Sequence, residues 1–324
     1  MRHPLRVFTF LMIAVVIAPS VLFAGGGAAE QREVVRELPG RPKLVIELTS
    51  ADCFIEANGE DRIRLRVLHS YGEDSYQVEI QERGDQVRLR ERFLRRSPRG
   101  SATWLLTVPA DTELSFSSAS GEFESRGDYR GLEASSASGR IYIEDLDGRI
   151  DINTASAAVR LQGVAGDLSV TTSSGAVEIA DFGGRLRLRS AAGGVKLDGP
   201  AAEIEATTAA GSIEVSQLRL TGECSFRSAA GDVDVELAAA PTFDLSLASS
   251  SGTIELDLNG NDIVGTFVFS ALQQTGRIES PFDFDEQEIF VHAGQTYLRN
   301  TFSRGSDLPR ITLATAAGSA RLKL

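Results

Sequence analysis

The sequence predicts an all-β protein, a single-stranded, right-handed parallel β-solenoid with 18-residue coils of two short strands. Three observations predict this fold. A motif of small residues that ends in glycine returns every 18 residues, apolar and polar residues alternate between its copies, and charges at equivalent positions mostly change sign. Alternation with a period of two is typical of a strand with one buried face, whereas a helix would need a spacing near 3.6.

The glycine motif is interpreted as a tight turn. Its copies occupy residues 118–121, 136–139, 154–157, 172–175, 190–193 and 208–211, with Ala157 in place of glycine in the third copy and looser copies centred on Gly231 and Gly252. A small hydroxyl residue ahead of a glycine commonly hydrogen-bonds to a turn backbone, and glycine fits where Cβ atoms would crowd. An ice-binding threonine array is the alternative, but it needs paired outward threonines, and this column has one hydroxyl residue per coil.

Each coil divides into two short strands. Gly148, Gly166 and Gly184 fall midway between the turns, and each opens a new apolar pair such as Ile150 and Ile152. A unit this small cannot bury its own apolar face, so neighbouring coils must stack about 4.8 Å apart with equivalent residues in columns. Right-handed winding is the expectation for parallel strand connections.

Two outward columns support this stacking through their charges. One contains Glu124, Tyr142, Arg160, Glu178, Lys196 and Glu214, and the other contains Arg149, Asp167, Arg185 and Glu203. Because like charges placed directly opposite each other repel, the alternation favours the 18-residue register. The second column continues to Glu223 after a slip of two residues, so we expect the register to break there.

Four segments are expected along the chain. Residues 1–29 have the basic start, apolar core and small-residue end of a secretion signal, and an uncleaved anchor is the alternative. Residues 30–115 form a less regular N-terminal β segment, and residues 116–258 contain the regular repeats. Residues 259–324 form a C-terminal β segment that closes with one more copy of the motif. Both flanking segments are expected to cap the stack, because open strand edges recruit other chains.

The secretion signal predicts an exported protein that resides in the periplasm, at the cell surface or outside the cell. Disulfides form in such compartments, but Cys53 and Cys224 lie several coils apart in a linear stack. Because a disulfide spans Cα atoms up to about 7 Å apart, both cysteines are predicted to be buried free thiols. A net charge of −12 disfavours nucleic acid as a partner.

The chain resembles the DUF4097 family of β-strand-repeat proteins, which are often described as candidate adhesins. The resemblance rests on residues 105–109 leading into residues 114–118, on the repeated small-small-Gly units, and on residues 311–313 ahead of residues 315–324. It extends over about residues 40–324 and implies a β-solenoid envelope protein with no defined chemistry. The adhesin description is an analogy from the fold.

No cofactor or metal site is predicted. His69 and His292 lie outside any metal-ligand spacing and are interpreted as surface or turn residues. A calcium-binding nonapeptide repeat is the alternative for the nine-residue half-period, but it would need turn aspartates at a common position. The sequence is interpreted as having no common position for its aspartates in this region, which are Asp145, Asp147, Asp167 and Asp181.

An acidic strand provides the alternative function. Asp232, Asp234 and Glu236 alternate and therefore share one face, like the paired carboxylates of polysaccharide-cleaving β-helices. In that alternative the chain is a carbohydrate-active enzyme that uses these residues. A solvated acidic face is the simpler interpretation, and we predict no catalytic residues.

A basic segment is the candidate contact site. It contains Arg88, Arg90, Arg92, Arg95, Arg96 and Arg99, the first three of which share one strand face. Guanidinium groups bind phosphate and carboxylate, so the expected partner is an envelope polymer, a lipid head group or a protein. The simpler interpretation is a charged face paired with Glu79, Glu82 and Glu91. The predicted function is that of a non-enzymatic, adhesin-like interaction or structural module, with end-to-end self-association through open solenoid ends as a further expectation.

Overall fold

The computed structural model describes residues 31–96, 98–305 and 308–324, and its regular elements are β-strands. The N-terminal strands are β1 (Arg32–Pro39), β2 (Lys43–Leu48), β3 (Asp52–Asn58), β4 (Arg62–His69), β5 (Tyr76–Arg83), β6 (Gln86–Phe93) and β7 (Ala102–Pro109). The repeats contain β8 (Glu113–Ser118), β9 (Glu122–Arg126), β10 (Gly131–Ser136), β11 (Arg140–Glu144), β12 (Asp147–Thr154), β13 (Ala158–Gln162), β14 (Ala165–Thr172), β15 (Val177–Ala180), β16 (Gly183–Ser190), β17 (Val195–Asp198), β18 (Ala201–Thr208), β19 (Ile213–Ser228), β20 (Val233–Leu237), β21 (Leu245–Ser249) and β22 (Ile254–Asp257). The last strands are β23 (Gly265–Leu272), β24 (Arg277–Glu279), β25 (Glu286–His292), β26 (Gln295–Arg304), β27 (Arg310–Thr315) and β28 (Ser319–Lys323).

The strands form two sheets that turn their apolar faces toward each other and share the long strand β19. Sheet A has the order β1-β4-β7-β3-β9-β11-β13-β15-β17-β19-β20-β22-β28-β24. Sheet B has the order β5-β6-β2-β8-β10-β12-β14-β16-β18-β19-β21-β27-β23-β26-β25. From β8 to β18 the paired strands are parallel with an 18-residue offset, as where Ile141 pairs with Val159 and Ile150 with Leu168. Beyond β19 the strands stay parallel with a longer offset, as where Val233 pairs with Ile254. The predicted β-solenoid is confirmed.

The alternating apolar residues fill one continuous core between the sheets. Ile141, Ile143 and Ile152 are fully buried, and each such side chain contributes about 1.5–3 kcal/mol when it is removed from water. The phenyl rings of Phe116 and Phe123 stack across the core at a centroid distance of 4.0 Å. The inward pairs predicted from alternation are therefore the core of the molecule.

The outward charge columns also have the predicted register. In one column Arg160 donates from Nε to Glu178 Oε2 at 2.9 Å, and in the other Arg185 bonds Glu203 at 3.1 Å. The expected break is present between β18 and β19, where Ala202 pairs with Leu220 but Ile204 pairs with Cys224. The slip before Glu223 is thus a β-bulge, an extra length of backbone opposite Glu203.

From Ser136 onward the hydroxyl residue of each motif is buried and hydrogen-bonds within the turns. Thr172 Oγ1 accepts a hydrogen bond from the Gly175 N–H at 2.9 Å, and Thr208 Oγ1 does the same for Gly211 at 3.0 Å. The column is at most 9% exposed from Ser136 to Thr208. The turn interpretation is confirmed, and a buried column cannot serve as an ice-binding surface.

Both ends of the stack are built by inserting a coil out of chain order. At the N-terminal end the coil β2–β3 lies between β6–β7 and β8–β9, and β1, β4 and β5 add antiparallel strands outside it. At the other end the last coil, β27–β28, lies between β21–β22 and β23–β24. The chain therefore ends inside the sheets, as its final motif copy predicts.

Two predictions about titratable residues are wrong. His69 is buried with 8% of its surface exposed, its ring lies 4.8 Å from that of Tyr76, and burial lowers its pKa. Asp145 and Asp181 do share a column, because they lie two coils apart with Gly163 between them. All three have positive φ angles, 54°, 53° and 62°, so the column selects residues that tolerate a left-handed backbone.

The other predictions about these residue types are confirmed. His292 is exposed, in the hairpin β25–β26. Cys53 and Cys224 are buried free thiols, and burial raises the pKa of Cys224 to about 11.

The predicted secretion signal, residues 1–29, lies outside the described residues. In the described part of the chain no helix has the length and apolar character needed to cross a membrane.

A close backbone contact between two coils predicts a stability difference between two adjacent glycines. A Cβ atom on Gly193 would lie 2.0 Å from the carbonyl oxygen of Gly175, whereas a Cβ atom on Gly194 has no neighbour nearer than 3.9 Å. We expect Gly193→Ala to lower the free energy of unfolding by about 1–3 kcal/mol, because the backbone of one coil must move, and Gly194→Ala to change it far less. Urea denaturation of both variants checks this, and equal midpoints would contradict it.

Candidate interaction surfaces

The predicted arginine site lies on the outward face of sheet B. Arg88, Arg90 and Arg92 share that face of β6, and the residues between them point inward. Glu47 on the adjacent strand β2 neutralises two of them. Arg90 Nε donates to Glu47 Oε2 at 2.7 Å, which raises the pKa of Arg90, and Arg88 Nε lies 3.8 Å from the other carboxylate oxygen.

The rest of the predicted site is only partly paired. Arg95 forms an ion pair with Asp74. Arg92 and Arg96 are exposed, and their side chains make no hydrogen bond or ion pair with any described residue. The structure therefore brings the predicted arginines to one end of sheet B and leaves the side chains of Arg92 and Arg96 available for contact.

Glu91 does not pair with the arginines, which corrects the expectation for this residue. Its side chain points into the molecule with 6% of its surface exposed. Glu91 Oε2 accepts hydrogen bonds from the Thr49 and Ser50 N–H groups at 2.7 and 3.0 Å. In the register of β2 and β6, Glu91 lies beside Leu48, which occupies the hydroxyl position of its coil. Because leucine cannot close the turn, a carboxylate from the next coil does so.

The acidic strand β20 carries Asp234 and Glu236 on the outward face of sheet A, next to Asp232, but they do not form a free carboxylate pair. Asp232 Oδ1 accepts a hydrogen bond from the Thr253 N–H at 2.7 Å. Glu236 Oε1 accepts one from the Asn259 side chain at 3.1 Å. Two of the three carboxylates are thus used to hold neighbouring turns.

Asp234 is the exception in this strand. It lies between Glu214 and Glu255 in its column, so three carboxylates follow one another. Partial burial, Asp232, Glu255 and Glu214 all raise the pKa of Asp234, and Lys323 lowers it. Asp234 is a site of unfavourable charge rather than half of an acid–base pair. Among the described residues no group of three or more His, Cys, Asp or Glu side chains is placed to hold a metal ion.

A cleft on sheet B near the C-terminal end was missed by sequence reasoning, and we name it the C-terminal cleft. It encloses about 360 Å³. Its floor is made by small residues of three adjacent strands, Ala248, Ala314 and Ser270. Its lining also includes Arg227 from β19 and Phe290, His292 and Tyr297 from the hairpin β25–β26.

The walls of the C-terminal cleft differ in chemistry. Arg227 has only Thr207 and Ala248 beside it on the neighbouring strands, and its side chain makes no hydrogen bond or ion pair with any residue in the described ranges. On the opposite wall the rings of Phe290 and Tyr297 stack at 5.5 Å, and the Arg299 guanidinium lies 4.2 Å above the Phe290 ring. One wall therefore offers an uncompensated cation and the other a fixed aromatic surface.

The C-terminal cleft forms because the last coil, β27–β28, is inserted beside β21–β22. Ala248 and Ala314 are 66 positions apart in the chain, yet they are neighbours because β27 pairs directly with β21. The aromatic pair could have been noticed in the sequence, since Phe290 and Tyr297 flank a Gly-containing turn in two alternating segments. The position of these rings near Arg227 could not have been noticed in the sequence, because it depends on the insertion of β27 beside β21.

Comparison with known proteins places the chain among β-repeat proteins. The model of a protein family described as Toastrack DUF4097 matches residues 42–267. No curated protein matches the chain.

Three solved structures are similar over most of their length. A candidate adhesin from Bacteroides fragilis is 14% identical, with 92% of this chain and 99% of that chain covered and a TM-score of 0.34. A candidate lipid-binding protein from Parabacteroides distasonis is 14% identical, with 90% and 96% covered and a TM-score of 0.32. A candidate cell adhesion protein from Clostridium sporogenes is 11% identical, with 91% and 99% covered and a TM-score of 0.27.

The turn-closing role of Glu91 predicts a large effect on stability at a residue that is predicted from the sequence to lie on the charged face. We expect Glu91→Ala to lower the free energy of unfolding by about 1–3 kcal/mol, because two backbone N–H groups lose their acceptor. Exposed Glu82, on the adjacent strand β5, is the control, and Glu82→Ala should have little effect. A Leu48→Ser change should restore part of the loss in the Glu91→Ala background. The midpoints of urea denaturation are compared for the wild type, the two alanine variants and the double variant. Equal effects of the two alanine substitutions would contradict the turn-closing role of Glu91.

The charge at Asp234 predicts a pH-dependent stabilisation. Because its pKa is raised in the folded state, folding favours the protonated carboxyl, so the wild type gains stability as the pH falls from 7 through that raised pKa. Asp234→Asn removes the charge and should stabilise the fold at pH 7 by a few tenths to about 1 kcal/mol, with the gain vanishing in acid. Thermal unfolding between pH 3 and 8, with exposed Asp262→Asn as control, measures it, and a destabilised variant at pH 7 would refute it.

Proposed function

The chain belongs to the Toastrack DUF4097 family, and for this β-solenoid we propose the function of an exported, non-enzymatic, adhesin-like binding module of the cell envelope. The C-terminal cleft is the single observation that carries the proposal. It is a concave site with an uncompensated cation and an aromatic wall, mounted on a continuous stack of paired strands. Export rests on the signal-like composition of residues 1–29.

The chemistry of the cleft favours an acidic polysaccharide of the envelope as its ligand. Arg227 can bind a carboxylate through two parallel hydrogen bonds, and the ring of Tyr297, held in place by Phe290, presents an apolar surface to a sugar ring. Small side chains in the floor leave room for a chain that runs across the strands. Arg92 and Arg96 lie on strand β6 and just beyond it, near the far end of the same sheet, and provide a second, weaker contact for a long polymer.

Catalysis is not part of the proposal. Asp232 and Glu236 hold neighbouring turns, and Asp234 faces other carboxylates rather than a partner that would make an acid–base pair. The acidic strand therefore supports a solvated, structural face. Turnover of a polysaccharide that is lost in Asp234→Asn would instead favour the carbohydrate-active enzyme.

Binding of an acidic oligosaccharide tests the cleft directly. We expect the full chain to bind oligogalacturonate in calorimetry, more weakly at high salt, and not to bind neutral maltooligosaccharides of the same length. Arg227→Ala should raise the dissociation constant about tenfold or more, because a charge-assisted hydrogen bond contributes about 1.5–3 kcal/mol, and Tyr297→Ala should also raise it.

The matched control is Arg187→Ala, which removes a guanidinium from the same face of sheet B. Unlike Arg227, Arg187 is paired, because its Nε lies 3.6 Å from Glu205 Oε2. This variant should bind like the wild type. Equal binding by the Arg187 and Arg227 variants, or no binding of the acidic probe by the wild type, would refute the cleft as the binding site. A loss confined to the Arg92→Ala/Arg96→Ala variant would move the site to the basic segment.

A further inference from the structure

The ends of the two sheets present four edge strands, and three of them are protected against pairing. Strand β1 has charged side chains along its length and ends at Pro39, β5 contains Glu79, Glu82 and Arg83, and β24 is three residues long. Charged side chains, proline and short length are the usual means by which an exposed edge avoids another chain. Each of these edges is therefore unsuited to association.

Strand β25 is different. Its two charged residues, Glu286 and Glu288, lie on one face only, whereas the charged residues of β1 and β5 lie on both faces of those strands. Strand β25 contains no Lys, Arg or Pro, and in the described structure its only neighbour is β26. Ile289 and Val291 lie on one face of it and are 61% and 70% exposed, the largest exposures of apolar side chains in any described strand. An edge with free backbone groups and exposed branched apolar residues is a template for another strand.

We propose that β25 pairs antiparallel with β25 of a second copy of this chain, centred on Ile289. This register places Ile289 opposite its own copy and Val291 opposite Gln287, so the exposed apolar residues of the two copies cover one another. On the other face it places Glu286 opposite His292, a carboxylate beside an imidazole, and Glu288 opposite Phe290. The segment is thus complementary to itself on its apolar face, and its two glutamates lie opposite His292 and Phe290 rather than opposite each other.

Pairing through β25 would fix the position of one C-terminal cleft relative to the other. Antiparallel strands of one sheet are related by a two-fold axis perpendicular to it, so both clefts open on the same face of a continuous sheet. Strand β23, in the floor of the cleft, would lie five strand spacings from its copy, about 24 Å at about 4.8 Å per strand. If the clefts bind a polymer as proposed above, the dimer binds it with two sites and gains avidity. The pairing itself does not depend on that function.

Light scattering after size exclusion tests the pairing on the full chain. We expect a concentration-dependent dimer and at least a tenfold higher dissociation constant for Val291→Lys, which places a charge in the covered strip. Because Val291 is exposed in the single copy, the variant should keep the wild-type midpoint of urea denaturation. Val35→Lys on edge strand β1, a residue 58% exposed, is the matched control and should leave the dimer unchanged.

Cysteine cross-linking tests the register. Ile289→Cys should form a disulfide-linked dimer on oxidation, since opposed Cβ atoms lie about 4.5–5.5 Å apart, and the natural cysteines are buried. Val291→Cys alone should not cross-link, whereas Gln287→Cys/Val291→Cys should. A monomer at all concentrations, a dimer insensitive to Val291→Lys, or equal cross-linking of Ile289→Cys and Val35→Cys would overturn the proposal. Loss of acidic saccharide binding in a protein that still dimerises would count against the proposed function alone.

Discussion

The hydrogen-bonded stacking of one coil directly on the next is the constraint on which the rest of this structure depends. Each residue of a coil has an equivalent residue about 4.8 Å above and below it, so every side chain must suit its own column. At the tightest point of the turn the backbone of Gly193 approaches the carbonyl oxygen of Gly175 so closely that a side chain would clash with it. The sequence therefore repeats every 18 residues because each coil must make the same close contacts with the next coil.

Exceptions to the columns show which property each column selects. Leu48 breaks the hydroxyl column, and Glu91 from the neighbouring coil supplies the missing acceptors for the turn. Asp145 takes a position that Gly163 takes in the next coil, because both tolerate the left-handed backbone that this corner needs. What is preserved in each case is a backbone hydrogen bond or a φ angle, and several residue types can provide it.

The same stacking decides where the molecule can bind a partner. Along the regular coils, outward cations lie beside carboxylates of the next coil, so much of that surface is already neutralised. The C-terminal cleft differs because inserting the last coil beside β21 brings small residues together next to Arg227, and the hairpin β25–β26 then adds an aromatic wall. The same hairpin leaves an apolar strand edge uncovered, so the proposed ligand site and the proposed self-association site share one element.

The sequence by itself determined the solenoid, its 18-residue register, the inward pairs, the register break before Glu223 and the two free cysteines, because a strict repeat ties each residue to neighbours at a known offset. Only the tertiary structure decided the order of coils at the two ends, since there the neighbours are set by insertion and not by spacing along the chain. For that reason the burial of His69 and the role of Glu91 were predicted incorrectly, and the C-terminal cleft was not predicted at all.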